Sequence, residues 1–168
     1  MASSGEPRRS ATRGGGNGYT FIEIAIVTAI IGILASAALP LARVTMQRNR
    51  EIELRRSLRE IRTAIDKYKD AVDQNQIAES ALDGSTDGYP PTLETLVEGV
   101  PAANDETDRK LRFLRRIPYD PMTRSTDWGM RSTRDEPESK TWGGQNVFDV
   151  YTKSDGTALD GTSYRDDW

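Results

Sequence analysis

The sequence predicts an α+β fold in which a long N-terminal helix, apolar in its first half and amphipathic in its second, packs on a small antiparallel sheet. Three observations indicate this arrangement. An uncharged apolar run covers residues 24–42, an amphipathic helical pattern follows it to about residue 76, and the segments with the composition of strands lie late in the chain. Because helical patterns come first and strand patterns last, they predict segregated elements rather than alternating βα units.

Composition limits the classes of function. The chain has 168 residues, no cysteine and no histidine, and its formal net charge is −3. Without cysteine there is neither a disulfide framework nor a thiolate zinc site, and without histidine the commonest general base is missing. The slightly acidic balance gives no broad basic surface for nucleic acid. We therefore expect a protein that is not an enzyme and has no nucleic-acid partner, although paired carboxylates remain a conceivable catalytic group.

The apolar run predicts a membrane span. At ~1.5 Å per residue, the uncharged stretch 24–42 is long enough to cross the hydrocarbon core of a bilayer. A cleavable secretory signal fits less well, because the run is too long and continues into a helical pattern without a break. A plain membrane anchor fits better. Counting charges does not orient the span, since arginines flank it on both sides: Arg8, Arg9 and Arg13 before it, and Arg43, Arg48 and Arg50 after it.

The helical pattern continues beyond the span. Apolar residues recur at alternating steps of four and three, which places them on one face of an α-helix. We expect one helix over residues 20–76. Near Pro40 we expect a kink or a locally melted turn, because a proline inside a helix removes one hydrogen bond and costs ~3 kcal/mol. Gly32 and Ser36 weaken the same stretch. The predicted core-facing residues are Leu54, Leu58, Ile61, Ile65, Tyr68 and Val72, and the predicted solvent-facing residues are Glu53, Arg56, Glu60, Arg62 and Lys67.

Shorter elements follow the long helix. Two Asp-Gly steps and a Pro-Pro pair make residues 83–92 a loop, and residues 92–99 are predicted to form a short helix closed by glycine. Residues 106–121 begin with a polar helical pattern that prolines stop. Residues 125–132 and 146–153 have the apolar composition of strands and predict an antiparallel pair.

One carboxylate, Glu23, lies at the start of the apolar stretch. An acidic residue at the middle of a membrane helix costs roughly 2.5–3.5 kcal/mol, and less near an end. Taken alone, Glu23 is compatible with a harmless place at the membrane interface, where an acidic residue in the first turn also suits the helix dipole.

The motif around Glu23 resembles the N-terminal segment of the type IV pilin family, which includes the pseudopilins of type II secretion. In that family a short basic leader ends in glycine and precedes an aromatic residue, threonine, two apolar residues, glutamate and a long apolar run. Tyr19 replaces the usual phenylalanine and Phe21 the usual leucine, both mild departures. The corresponding residues here are Gly18, Tyr19, Thr20, Phe21, Ile22 and Glu23, with the apolar run from Ile24 onward.

The resemblance implies processing and assembly. A prepilin peptidase would cut between Gly18 and Tyr19 and methylate the new amine of Tyr19. Glu23 would then face the positive N-terminus of a neighbouring subunit inside an apolar filament core, where attraction between desolvated charges is strong. Gly32 and Pro40 match positions at which helices of the family bend or melt on packing into a filament.

Three later segments narrow the resemblance to the major pseudopilin of type II secretion. The family carries a tyrosine-proline turn before a short helix, an arginine-rich segment ending in Asp-Pro, and an acidic glycine loop that ends in tryptophan. The region 127–144 is longer and more irregular than in that family. The matching segments are YPPTLETLV at 89–97, FLRRIPYDPMT at 113–123 and VFDVYTKSDGTALDGTSYRDDW at 147–168.

This resemblance implies a structural subunit. It would be a single-pass protein of the inner membrane with its head in the periplasm, and it would polymerise through its N-terminal helix into a periplasmic pseudopilus that drives type II protein secretion. Its implied partners are further copies of itself, minor pseudopilins, the prepilin peptidase, the inner-membrane assembly platform, and secreted cargo or an outer-membrane channel. The implied parts are a leader at 1–18, a membrane-spanning and filament-core half helix at 19–42, and a head at 43–168.

Two other interpretations stay open. The chain could be a subunit of a surface type IV pilus for motility, adhesion or DNA uptake, or it could be a plain single-pass membrane-anchored binding protein. A plain anchor would keep its leader, and its Glu23 would be replaceable. A methylated N-terminal Tyr19 therefore separates the pilin-like proteins from the plain anchor, and the gene neighbourhood separates secretion from a pilus.

The acidic C-terminal loop, residues 154–168, is the candidate metal site. Its carboxylates could supply hard oxygen ligands, with backbone carbonyls completing the six to eight that Ca²⁺ prefers. Its two Asp-Gly pairs are also ordinary turn sequences, and the spacing is not that of an EF-hand. Major pseudopilins resembling this chain bind calcium in this loop, although the family usually has more carboxylates clustered there. The candidate ligands are Ser154, Asp155, Asp160, Asp166 and Asp167.

Overall fold

The computed structural model describes residues 20–82, 84–103 and 109–168, with the backbone alone at 37–40, 85 and 167. The chain forms two compact units, Met1–Ala42 and Arg43–Trp168. The elements within the described residues are α1 (Phe21–Asp73), two 3-10 turns (Glu79–Ala81 and Gly84–Thr86), α2 (Leu93–Glu98), β1 (Val100–Pro101), β2 (Lys110–Leu111), β3 (Gly129–Arg131), β4 (Asp149–Tyr151) and α3 (Tyr164–Asp167).

The first unit consists, in its described part, of the apolar half of α1. The helix begins where the Glu23 amide donates to the Thr20 carbonyl at 3.0 Å. The few polar side chains bond to their own helix: the Thr28 hydroxyl donates to the Ile24 carbonyl at 2.6 Å, and the Ser36 hydroxyl to the Ile33 carbonyl at 2.7 Å. Such back-bonding satisfies each hydroxyl within its own helix.

The helix predicted over residues 20–76 is confirmed, with one correction. The helical backbone runs through Pro40 without a break, so the locally melted turn expected there is wrong for this structure. A proline inside a helix forfeits one hydrogen bond, and the flanking turns continue nonetheless.

In the second unit the core forms against one face of the amphipathic half of α1. The predicted stripe is confirmed, since five of its six residues are buried and Val72 packs partly buried against them. Apolar burial of this kind is the main stabilising contribution to a small head. The later elements contribute the other side of the core, chiefly Ile77, Leu93, Leu96, Val100, Leu114, Trp128, Val147, Val150, Ala158 and Tyr164.

One residue predicted to face solvent is only partly exposed. Arg62 donates through Nε to Asp149 Oδ1 at 2.7 Å and through Nη2 to the Val150 carbonyl at 3.0 Å. Its long side chain therefore ties α1 to β4 while it stays 38% exposed. Helix periodicity alone places it on the polar face, and only the approach of β4 turns that position into a contact.

The strands form two separate antiparallel pairs in the described part of the chain, not one small sheet. β3 pairs with β4 in the register Met130↔Val150, which confirms the two predicted strands in shortened form. β1 pairs with β2 in the register Val100↔Leu111, and neither of these two-residue strands has a sequence pattern long enough to predict.

The helical start expected for residues 106–121 is wrong in its described part, residues 109–121. Lys110–Leu111 is strand β2, and the amides of Phe113 and Leu114 both donate to the Leu96 carbonyl at 3.0 Å. The apolar residues of this segment recur at steps near three, which imitates a helix. Tertiary hydrogen bonds to α2 hold the backbone in another conformation.

α2 confirms the short helix predicted at 92–99. Thr92 Oγ1 accepts a hydrogen bond from the Thr95 amide at 3.4 Å, which caps the N-terminus. Gly99 ends the helix with φ +80, and a Cβ at this position would lie 2.7 Å from the Leu111 carbonyl oxygen. Only glycine combines that backbone angle with so close an approach of β2.

Candidate functional site

The predicted cleavage site, Gly18 and Tyr19, lies outside the described residues. The leader at 1–18 lies outside them as well. Processing at this bond and N-methylation of Tyr19 therefore stay predictions of the sequence motif.

Glu23 lies in the first turn of α1. Its amide donates to the carbonyl of Thr20 and lies 3.4 Å from the Thr20 hydroxyl oxygen. Thr20 thus acts as the helix cap, and Glu23 occupies the third position after it, which is the arrangement of a capping box. A carboxylate there also faces the positive end of the helix dipole. The turn that carries Glu23 is therefore helical without help from another chain.

The side chains around Glu23 form an apolar surface that the described part of the first unit leaves open. All residues from Thr20 to Ser36 are exposed, and Phe21 next to the motif is exposed by 88%. Contiguous apolar surface of this extent is found where a lipid or another protein covers it. The large exposed apolar residues are Phe21, Ile22, Ile24, Ile26, Val27, Ile30, Ile31, Ile33 and Leu34.

In the described residues α1 is the one helix long and apolar enough to cross a membrane, judged by its length and composition. The apolar stretch of this helix that is long enough to span a membrane lies near the N-terminus, and none of its residues is buried. A buried core helix passes the same test by composition but would be covered by its own chain. A membrane anchor and a signal segment both remain compatible with an exposed apolar helix at this place.

The three predicted assembly residues lie on one helix but not together. Glu23 and Gly32 are nine residues apart, which at ~100° per residue sets them on opposite faces and ~14 Å apart along the axis. A Cβ added at Gly32 would meet nothing within 4 Å, so the glycine leaves a shallow gap on an exposed surface. Pro40 follows further along the helix, and the structure describes its backbone alone.

The predicted calcium ligands with described side chains, Ser154, Asp155, Asp160 and Asp166, do not converge. Asp155 Oδ1 lies 2.8 Å from Arg165 Nη1, and Asp166 Oδ1 lies 3.5 Å from Lys140 Nζ. Asp160 Oδ1 accepts from the amide and the hydroxyl of Thr162, at 3.0 and 2.6 Å.

Among the described residues no group of three or more acidic side chains lies close enough to hold a metal ion. The Ser154 hydroxyl accepts from the Gly156 amide at 3.3 Å. The side chain of Asp167 lies outside what the structure describes.

Contacts of Glu51 hold the C-terminal loop to α1, and sequence reasoning missed them. Glu51 Oε1 accepts hydrogen bonds from the Leu159 amide at 2.9 Å, from the Tyr164 hydroxyl at 2.8 Å and from Gln47 Nε2 at 3.2 Å. Gln47 Nε2 also donates to the Thr157 carbonyl at 3.1 Å. Leu159 and Tyr164 lie more than 100 residues from Glu51 in sequence, and no local pattern connects them to it.

Trp168 extends the same set of contacts. Its indole Nε1 donates to Thr162 Oγ1 at 2.9 Å, its ring meets that of Tyr164 edge-on at 5.2 Å, and the Arg55 guanidinium lies 4.0 Å over it. Arg62 Nη2 donates to the Trp168 carbonyl at 3.2 Å. Trp168 is therefore packed against α1, in line with the anchoring position of the tryptophan that ends the loop.

No protein-family model, no curated protein and no solved structure matches this chain. The long N-terminal helix and the small antiparallel pairs are compatible with the α+β class. Membership of the type IV pilin family stays a prediction that depends on the residues around Glu23 and on the three later segments.

Proposed function

We propose that this chain is a structural subunit that polymerises through the apolar half of α1 into a periplasmic pseudopilus driving type II protein secretion. The observation that carries the proposal is one carboxylate, Glu23, in the first turn of a helical segment whose described side chains are all exposed. Such a segment needs lipid before assembly and other subunits after it. The head would stand in the periplasm and the span in the inner membrane.

The physical basis is the change of partner for Glu23. Within a bilayer a carboxylate near the end of a span is unfavourable, because its charge loses water. Inside a filament the same carboxylate would meet an N-terminal amine of a neighbouring copy, created by cleavage after Gly18. Opposite charges at short range attract strongly where both are desolvated, so the pair would fix the register of assembly.

The core of the head supports different roles for the two halves of α1. Its core uses the stripe of α1 that begins at Leu54, whereas none of the described side chains from Thr20 to Ser36 is buried. The second unit therefore has a core of its own. That leaves the apolar half available for association with lipid and with other copies.

The test replaces Glu23 by alanine and by glutamine in the full chain. We expect both variants to reach the membrane and to be cleaved, but to form few filaments and to secrete little protein. Electron microscopy of sheared filaments and the amount of secreted protein measure this. Glu98→Ala is the matched control, because Glu98 is an exposed acid on the head and its removal should leave assembly intact.

Normal filaments from the Glu23 variants would overturn the proposal. A mass spectrum of the purified protein provides a second, independent measurement. We expect a chain that starts at a methylated Tyr19. A chain that still carries Met1 would favour the plain membrane anchor instead, and filaments on the cell surface without any secretion defect would favour the surface pilus.

A further inference from the structure

We infer that the C-terminal loop is fastened to the head by arginine, lysine and glutamate side chains of this chain, and that its order does not depend on a bound calcium ion. Members of the family that the sequence resembles hold calcium in this loop. In this protein the candidate ligands whose side chains the structure describes have other partners.

Protein cations lie against two of the candidate carboxylates. Arg165 Nη1 lies 2.8 Å from Asp155 Oδ1, and Arg165 Nη2 donates to the Lys153 carbonyl. One guanidinium thus bridges two points where the chain leaves β4. Lys140 Nζ lies 3.5 Å from Asp166 Oδ1. Arginine keeps its charge at all ordinary pH values, so a divalent cation at Asp155 would have to displace or repel a permanent positive charge.

The third carboxylate is used within a turn. Asp160 accepts two hydrogen bonds from Thr162, and Arg55 Nη2 lies 4.0 Å from its other oxygen. This turn closes with the Gly161 amide donating to the Ala158 carbonyl at 3.0 Å. The carboxylate is therefore already directed at the backbone of its own turn.

The loop is held to the head by buried contacts as well as by exposed ion pairs. Single exposed ion pairs contribute little to stability. Ala158 and Tyr164 are buried in the core, and the Tyr164 amide donates to the Gly156 carbonyl at 3.2 Å. Glu51 Oε1 accepts hydrogen bonds from the Leu159 amide and from the Tyr164 hydroxyl. These groups tie the loop to α1.

The test is amide hydrogen exchange of the full-length protein in detergent, with millimolar calcium or with a calcium chelator. The informative amides are those of Ala158, Leu159, Gly161 and Tyr164, because each donates a hydrogen bond that loop opening would break. A site with micromolar affinity would slow opening about a thousandfold at millimolar calcium. We expect calcium to change these rates by less than about twofold.

Two variants test the protein contacts directly. Glu51→Gln and Arg165→Gln should each speed exchange of the Leu159 and Tyr164 amides by about fivefold or more, because each weakens a charge-assisted hydrogen bond. Asp127→Asn is the control. It removes an exposed ion pair to Lys153 Nζ at 2.6 Å whose two residues both lie outside the loop, and the loop amides should keep their rates.

Each result of the calcium experiment either supports or contradicts the inference. Slowing of about twofold or more in the unaltered chain by calcium but not by magnesium would overturn the inference. Should a variant fail to fold, the calcium comparison on the unaltered chain decides by itself. A calcium effect would leave the proposed role of Glu23 in assembly untouched.

Discussion

The hydroxyl of Tyr164 donates a hydrogen bond to Glu51 Oε1 at 2.8 Å, joining α3 to the middle of α1. Burial raises the pKa of Tyr164, and the hydrogen bond and charge of Glu51 raise it further. The phenol therefore stays protonated and remains a donor throughout the physiological pH range. The pair makes the end of the chain part of the head.

Removal of this donor should weaken the head. We expect Tyr164→Phe to lower the free energy of unfolding by about 1–2 kcal/mol, since a hydrogen bond to a charged acceptor is lost while the ring stays buried. Chemical denaturation followed by tryptophan fluorescence measures the change. Tyr119→Phe is the control, because Tyr119 is half-exposed. Equal stability of the Tyr164 variant and the unaltered chain would show that the Leu159 amide and Gln47 satisfy Glu51 without the Tyr164 hydroxyl.

Replacing Ile61 or Ile52, two isoleucines of α1, by alanine should lower the free energy of unfolding by very different amounts. Ile61 is 0% exposed and Ile52 is 60% exposed. Ile61→Ala should cost about 2–5 kcal/mol, because it removes buried methyl groups and leaves a cavity. Ile52→Ala should change stability by less than about 0.5 kcal/mol. Denaturant midpoints of the two variants measure the difference. Similar midpoints would mean that this face of α1 is not the core of the head.

Acid should loosen the turn around Asp135. The Ser132 amide donates to Asp135 Oδ2 at 2.7 Å and the Gly143 amide at 3.0 Å. These hydrogen bonds, that of Ser132 first, lower the pKa of Asp135 despite partial desolvation. A carboxyl with a lowered pKa in the folded state stabilises fully above its unfolded pKa of about 3.9. That stabilisation is lost as the pH falls through the folded pKa.

Amide chemical shifts of Ser132 and Gly143, recorded from neutral pH downward, measure this effect. We expect both to stay constant above about pH 5 and to move together at lower pH. In Asp135→Asn the transition should vanish and the segment should exchange faster at neutral pH. Shifts that move independently would contradict a shared carboxylate acceptor.

The sequence predicted α1 well, because helix periodicity is local. Steps of three and four placed Leu54, Leu58 and Ile61 on one face, and each is buried. The same rule placed Arg62 on the polar face but did not predict its contact with Asp149, since that contact joins residues 87 positions apart. Likewise the segment after Lys110 imitates a helix by spacing, but its amides bond to the Leu96 carbonyl.

The candidate site divides in the same way. The sequence alone identified Glu23 as a candidate, because the motif that contains it spans only a few neighbouring residues. The structure adds that the first turn of α1 is capped by Thr20. Residue type and nearness in sequence predicted the candidate calcium ligands. In the folded head their partners are Arg165, Lys140 and Thr162, and residue type alone does not determine which partner a carboxylate reaches.

By itself the sequence determined the long helix, its change from an apolar to an amphipathic half, the short helix closed by Gly99 and the two strands near the end. These features follow from periodicity, capping and turn chemistry, which act over a few residues. Only the tertiary structure decided that Glu51, Arg55 and Arg62 hold the end of the chain. Hydrogen bonds between distant residues depend on where packing places the backbone, and packing is a property of the whole head.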